Sequence, residues 1–275
     1  MTDIATRPVG AYGYRLDPQV FGHRYLNDAA ESWPALAVSV GTVRPRQPGW
    51  QEIFSGDDWV VDVQAAGDGV TWTGPTAYAD PDGMIHPLLA LAACAATLRR
   101  GGDTLHAGAV LADDGVVAVL APSGGGKTST MAWLALREGL GIFTDDHLNV
   151  RDGLAHAGPR CLDLRPDAAA RLALTDRSRQ VRADGRFRFT LPAPRVLQAP
   201  VVRTVVLEWG ERVRAVAVPP RERLGLVATH RTAQPVDGNL AVPLALAALP
   251  MIRLVRPKTF DCMPEVVRLL LGATD

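Results

Sequence analysis

The sequence predicts a mixed α/β protein, with a small β-rich unit over residues 1–83 and a larger unit over 84–275 organised around a glycine-rich loop. Three observations predict it. Short apolar runs punctuated by Gly, Pro and Asp fill residues 36–74. A strand pattern, a glycine loop, a helix pattern and a second strand pattern follow one another between Val116 and Thr144. Strand and helix compositions then continue to the C-terminus, as an α/β layer architecture requires.

In the first unit, Leu36 to Val43, Trp59 to Val63 and Gly69 to Trp72 are β-rich runs expected to form a small antiparallel sheet. Tyr78 to Gly83 is a turn cluster that marks the boundary. Met84 to Arg100 has helical composition and stops at Gly101-Gly102. Leu105 to Leu111 and Val116 to Ala121 read as a hairpin closed by Ala112-Asp113-Asp114-Gly115. After the glycine loop, Thr128 to Glu138 is a helix stopped by Gly139, and Gly141 to Thr144 is a strand running into Asp145-Asp146. Strands are expected at Cys161 to Leu164, Val201 to Trp209 and Met251 to Val255, and helices at Pro166 to Leu174 and Pro264 to Leu271, proline being acceptable in a first turn. No internal repeat or low-complexity tract is found.

Composition removes several classes of function. A chain of 275 residues with 47% hydrophobic content can bury a large core, which excludes disorder and disulfide-stapled mini-proteins. The 29 basic and 29 acidic residues cancel, so no global field holds a nucleic acid or an anionic membrane. Lys127 and Lys258 are the only lysines, an arginine bias that reads as a GC-rich genome. Cys94, Cys161 and Cys262 lack metal or disulfide spacing, so a reducing cytoplasm is expected. The longest apolar stretches, Pro87 to Leu98 and Leu240 to Ile252, fall short of the roughly 20 residues that span a bilayer, and residues 1–17 carry no signal-peptide run.

The chemistry concentrates in Ala121 to Thr128, which fits GxxxxGK[ST] with Ala121 in place of the first glycine. Gly124, Gly125 and Gly126 let the backbone curl so that amides face phosphate oxygens, and the following helix presents its positive end to them. Lys127 would reach the outer phosphates and the Thr128 hydroxyl would ligate magnesium; Ser123 and Ser129 complete the candidate nucleotide-binding set. An ordinary glycine-rich turn is the bland alternative. Asp145 and Asp146 close the next strand, where one can hold the metal and the other accept a proton from an attacking hydroxyl. The sequence does not order the two; the weaker preference takes Asp145 as base and Asp146 with Thr128 as metal ligand. Asp pairs also occur in solvated turns.

Leu105-His106-Ala107-Gly108-Ala109-Val110, the strand into Pro122-Ser123-Gly124-Gly125-Gly126-Lys127-Thr128, and Phe143-Thr144-Asp145-Asp146 together resemble the catalytic core of HPr kinase/phosphorylase, itself similar to phosphoenolpyruvate carboxykinase. The likeness covers about Pro87 to Val150, with a looser echo in the last strand and helix. The family's downstream Arg-Gly-Leu-Gly-Ile-like stretch is not found. The resemblance implies a bacterial, cytoplasmic, ATP- and Mg2+-dependent kinase whose His106 lies near the γ-phosphate, alongside catalytic Lys127, Asp145 and Asp146, in a chain that forms homo-oligomers. From the residues alone, His106 on an apolar strand reads as a core histidine, and His147 as structural. The resemblance further implies a serine hydroxyl on a peptide or protein as acceptor, such as a precursor peptide in natural-product biosynthesis. A small-molecule kinase and a nucleotide-sensing interaction module without phosphoryl transfer are the alternatives. Arg177, Arg179, Arg182, Arg186 and Arg188 form a basic stretch in which Arg179, Arg182 and Arg186 could dock an acidic acceptor; a solvated loop is the bland alternative.

Overall fold

The computed structural model describes residues 7–44, 48–74, 81–174, 179–180, 185–233 and 240–272. The protein is mixed α/β. At its centre lies a six-stranded sheet in the order Ile142–Thr144, Ala107–Leu111, Val116–Leu120, Val201–Trp209, Met251–Arg256, Arg214–Ala217. Its inner strand Val116–Leu120 is a continuous, fully buried apolar run, VVAVL, as expected where both faces are covered. Val117 and Val119 face the helices Lys127–Leu136 and Met263–Leu271, while Ala118 and Leu120 face Val227 and Leu246 of the helices Pro220–Thr229 and Ala241–Ala248.

Strand direction places the chemistry. Val116–Leu120, Val201–Trp209 and Met251–Arg256 are mutually parallel, Ala107–Leu111 runs antiparallel to Val116–Leu120, and Ile142–Thr144 runs antiparallel to Ala107–Leu111. Two reversals restore the direction, so Ile142–Thr144 points the same way as Val116–Leu120. Four carboxyl ends and the amino end of Ala107–Leu111 therefore meet at one edge of the sheet, the edge where open α/β sheets bind ligands.

A second sheet has the order Gln198–Ala199, Leu154–His156, Leu148–Arg151, Asp103–Leu105. The single strand expected over Leu105 to Leu111 is in fact two, because the chain leaves the second sheet after Leu105 and enters the central one at Ala107. The break is His106. The chain returns to the second sheet through Asp145-Asp146-His147. Leu148 pairs with Leu105 and Thr144 with Ala109, so the two crossings lie side by side.

The N-terminal part forms two sheets, Tyr14–Leu16, Val9–Ala11, Asn27–Asp28 and Ala37–Gly41, Gly69–Thr73, Val60–Gln64, Trp50–Ser55. The expected all-antiparallel pattern is corrected at Ala37–Gly41, which runs parallel to Gly69–Thr73. The long helix expected over Met84 to Arg100 is regular only over Ala90–Arg99. His86 is extended (φ −132°, ψ 129°), since Pro87 disfavours a helical residue before it and has no amide hydrogen to donate. This helix buries both Ala92 and Ala96 in one core with Val61, Val63, Val70 and Trp72 of the first unit. The expected boundary falls largely on residues 75–80, outside the described residues. Among the described residues, no helix is long and apolar enough to cross a membrane.

Candidate functional site

The loop after Leu120 delivers the helix Lys127–Leu136 with no side chain capping its first turn, which leaves amide groups of that turn pointing outward. Gly126, at φ 88°, is the position that only glycine fits. A Cβ there would stand 2.4 Å from Arg256 Nη2 and 2.8 Å from the Trp209 ring. Ser123, Gly124, Gly125, Gly126, Lys127, Thr128 and Ser129 line one cavity of about 390 Å³, together with His106, Asp146, Asp163, Arg186, Trp209, Arg256 and Lys258. The Lys127 ammonium is buried and donates to the Ala121 carbonyl at 2.6 Å. Burial lowers its pKa, against the opposing pull of Asp146 and Asp145.

The two aspartates differ. Asp145 is buried, and burial, the Asp146 charge and then Asp163 push its carboxyl up to about 8, while a hydrogen bond from Thr128 pulls it back. Its Oδ1 has no hydrogen-bond partner among the described residues. Asp146 sits in a left-handed backbone conformation, φ 78°, and the His147 amide donates across it to the Asp145 carbonyl at 3.1 Å. This tight three-residue turn is a strained one, held by the strand pairs on either side. The turn swings the Asp146 carboxylate to the cavity wall, 3.2 Å from His106 Nδ1 and 3.6 Å from His147 Nε2. Its partial burial opposes ionisation, but His147, His86, His106 and Lys127 outweigh it and hold the group down to about 2. Burial lowers His106 to about 4, so its imidazole is neutral near pH 7 and Nδ1–H is the tautomer that suits the carboxylate. Adjacent carboxyls with opposed protonation are the pattern that separates a proton acceptor from its partner.

His147 lies behind the pair, buried, with Nδ1 3.3 Å from the Thr232 hydroxyl and 3.6 Å from the Cys94 sulfur. His106, Asp146 and His147 together offer three ligand atoms within 4.8 Å of one another, two of them imidazole nitrogens. Magnesium prefers oxygen ligands, and Thr128 with the adjacent Asp145 is an oxygen-only pair. The orphaned Asp145 Oδ1 fits that use.

Of the arginine stretch, only the Arg186 and Arg188 side chains are described. Arg177 and Arg182 lie outside the described residues, as does the Arg179 side chain. Arg188 is corrected outright: it is 2% exposed and holds Asp163 through two 2.6 Å hydrogen bonds. Arg186 alone of the described side chains in that stretch lines the cavity. Trp209, Arg256 and Lys258 were not legible as site residues. The signal that finds them is their place at or just beyond the carboxyl ends of parallel strands at the loop's own edge.

One stability prediction arises here. The folded pKa of Asp145 is raised above the ordinary aspartate value of 3.8, so the stability this group contributes is fully present below that value and is lost as pH rises toward about 8. Asp146, held low, acts only below that window, and the buried histidines act in the opposite sense below about 6.5. Asp145→Asn is therefore expected to lose a fall in Tm between about pH 5 and 8 that the parent chain shows. Parallel Tm profiles for the two proteins, from calorimetry across that range, would contradict the assignment.

The chain matches no family model and no curated protein. Among solved structures it matches the HPr(Ser) kinase/phosphatase from Coxiella burnetii with a TM-score of 0.32 and 12% identity, over 61% of this chain and 87% of that chain. The likeness is a distant structural one.

Proposed function

We propose that this protein is a magnesium-dependent ATP kinase that transfers the γ-phosphoryl group to a hydroxyl, a serine of a peptide or protein. One observation carries the reading: the loop with Lys127 and Thr128, Asp146 and His106 come from three strand ends and line a single cavity, with the buried Asp145 beside the Thr128 hydroxyl. The loop amides and Lys127 hold the triphosphate by charge and by hydrogen bonds, and supply the electrostatic stabilisation that dominates phosphoryl transfer. Thr128 and Asp145 would hold Mg2+, whose chemistry is to neutralise phosphate charge. This reverses the weaker preference read from sequence, on the ground that Asp145 is the carboxyl beside the Thr128 hydroxyl. Asp146, ionised and facing the cavity, orients the acceptor hydroxyl and takes its proton as the phosphate bond forms; the His106 N–H fixes the carboxylate's direction. The Arg186 side of the cavity is where an acidic acceptor would enter.

The test is incubation with γ-labelled ATP, Mg2+ and the short peptides encoded beside the gene, read by mass spectrometry. A phosphoserine on one of them, lost when Mg2+ is chelated, is the expected result. Calorimetry showing no Mg-ATP binding would sink the proposal at its first step. Tight binding without transfer to any peptide or small hydroxyl compound would favour the nucleotide-sensing alternative.

A further inference from the structure

Among the described residues, three arginines with buried side chains come with carboxylates. Arg188 lies 2.6 Å from Asp163, Arg231 2.9 Å from Asp103 and Arg151 3.5 Å from Asp152. Arg256 departs from the pattern. It is 2% exposed, and its Nη2 contacts the Thr130 hydroxyl at 3.1 Å and the Gly126 carbonyl at 3.4 Å. Its guanidinium lies 4.4 Å from the Trp209 ring centroid, and the Cys262 thiol lies beside it. None of these described contacts is a carboxylate, and Nε has no hydrogen-bond partner among the described residues. A cation taken out of water without a counter-charge is costly, and proteins that keep one generally supply an anion.

The position says which anion. Arg256 closes the strand Met251–Arg256, which lies two strands from Val116–Leu120 on the flank opposite Ala107–Leu111 and Ile142–Thr144. His106, Asp145 and Asp146 thus stand on one side of the glycine loop, and Trp209 and Arg256 on the other. His106 and Asp146 on one side and Trp209 and Arg256 on the other line the same cavity, and the guanidinium packs so closely on Gly126 that a Cβ there would touch it. Lys258, 5.9 Å from the Trp209 ring, extends the positive wall outward.

We propose that Arg256 is a phosphate-binding residue, the missing counter-ion being the phosphate chain of the nucleotide on the flank of the loop away from the aspartates. The inference rests on the nucleotide reading of the same site and adds a ligand to it. The guanidinium fork suits phosphate oxygens geometrically as well as electrically, and Trp209 stacks on its plane and fixes its orientation. The rival role is a brace, in which Arg256 serves only to hold the Gly126 carbonyl and the first turn of the helix.

The two roles separate in Arg256→Met, which keeps the volume and removes the charge. As a counter-ion site, the ligand-free variant has a Tm equal to or above the parent's, because a buried unpaired cation has been removed. Its affinity for Mg-ATP, and for inorganic phosphate as the simplest probe, drops by about 10- to 10²-fold in calorimetric titration. As a brace, Tm falls and the affinity per folded molecule is unchanged, and that result overturns the proposal. Arg256→Lys covers a failure of the methionine variant to fold: charge without the fork is expected to weaken phosphate binding by about tenfold at unchanged Tm, and unchanged affinity overturns the inference. Parent protein that binds Mg-ATP while Arg256→Met binds it equally leaves the nucleotide reading standing and removes only this one. Parent protein that binds neither probe removes both.

Discussion

Lys127→Ala is expected to lower the turnover of the proposed phosphoryl transfer by about 10² to 10³ while the protein stays folded. The loss would follow from removing a buried positive charge at the base of the loop, where it lines the cavity and would meet the charge that develops in the proposed transfer. The fold survives for three reasons. Alanine has the highest intrinsic helix propensity, the deleted group is a desolvated cation, and its hydrogen bonds go to neutral carbonyls, Ala121 at 2.6 Å and Pro122 at 3.5 Å. Steady-state kinetics together with thermal unfolding checks both halves. A variant that turns over at the parental rate, or one that unfolds, contradicts the role given to Lys127.

The second large effect is at the aspartate pair, where the two asparagine variants fail differently. Asp146→Asn is expected to keep the left-handed turn, because asparagine tolerates φ near +78° as aspartate does, yet to remove the proposed proton acceptor. Turnover then falls by about 10² to 10⁴ with nucleotide affinity nearly unchanged. Asp145→Asn leaves the acceptor's proton its destination but alters the oxygen beside Thr128, so nucleotide affinity becomes less dependent on magnesium. Titrations with ATP at several magnesium concentrations distinguish them. The opposite pattern, magnesium dependence lost in Asp146→Asn and retained in Asp145→Asn, would restore the order preferred from sequence.

What could be read in advance was contiguous. The loop from Ser123 to Ser129 and the Asp145-Asp146 pair are short runs whose chemistry is carried by neighbours in the chain, and the hairpin before them is closed by its own turn residues. The strand break at His106 was not readable, because both halves are apolar and the division between two sheets is decided by partners some forty residues on, Leu148 for Leu105 and Thr144 for Ala109. Arg256 and Trp209 were missed for the same reason: they join the loop only once parallel pairing brings distant strand ends together. Arg188 was misjudged as part of a basic loop because its alternation on the strand Phe187–Thr190, which turns it inward onto Asp163, is short enough to be hidden by the charges around it.

The direction of the central strands has a practical consequence for anyone who must attach something to this protein. The turn Ala112-Asp113-Asp114-Gly115 lies at the far end of Val116–Leu120 from the glycine loop, and the five residues of that strand separate the two by about 17 Å. Among the described residues, Asp113 and Asp114 pair with Arg195 and Arg203 in exposed contacts, which contribute little to stability. A fluorophore, an affinity handle or a surface tether placed there sits on the side of the sheet that carries connections and no chemistry, joined to the loop by a rigid rod of fixed length. It would report on the chain without intruding on the cavity, whatever enters it.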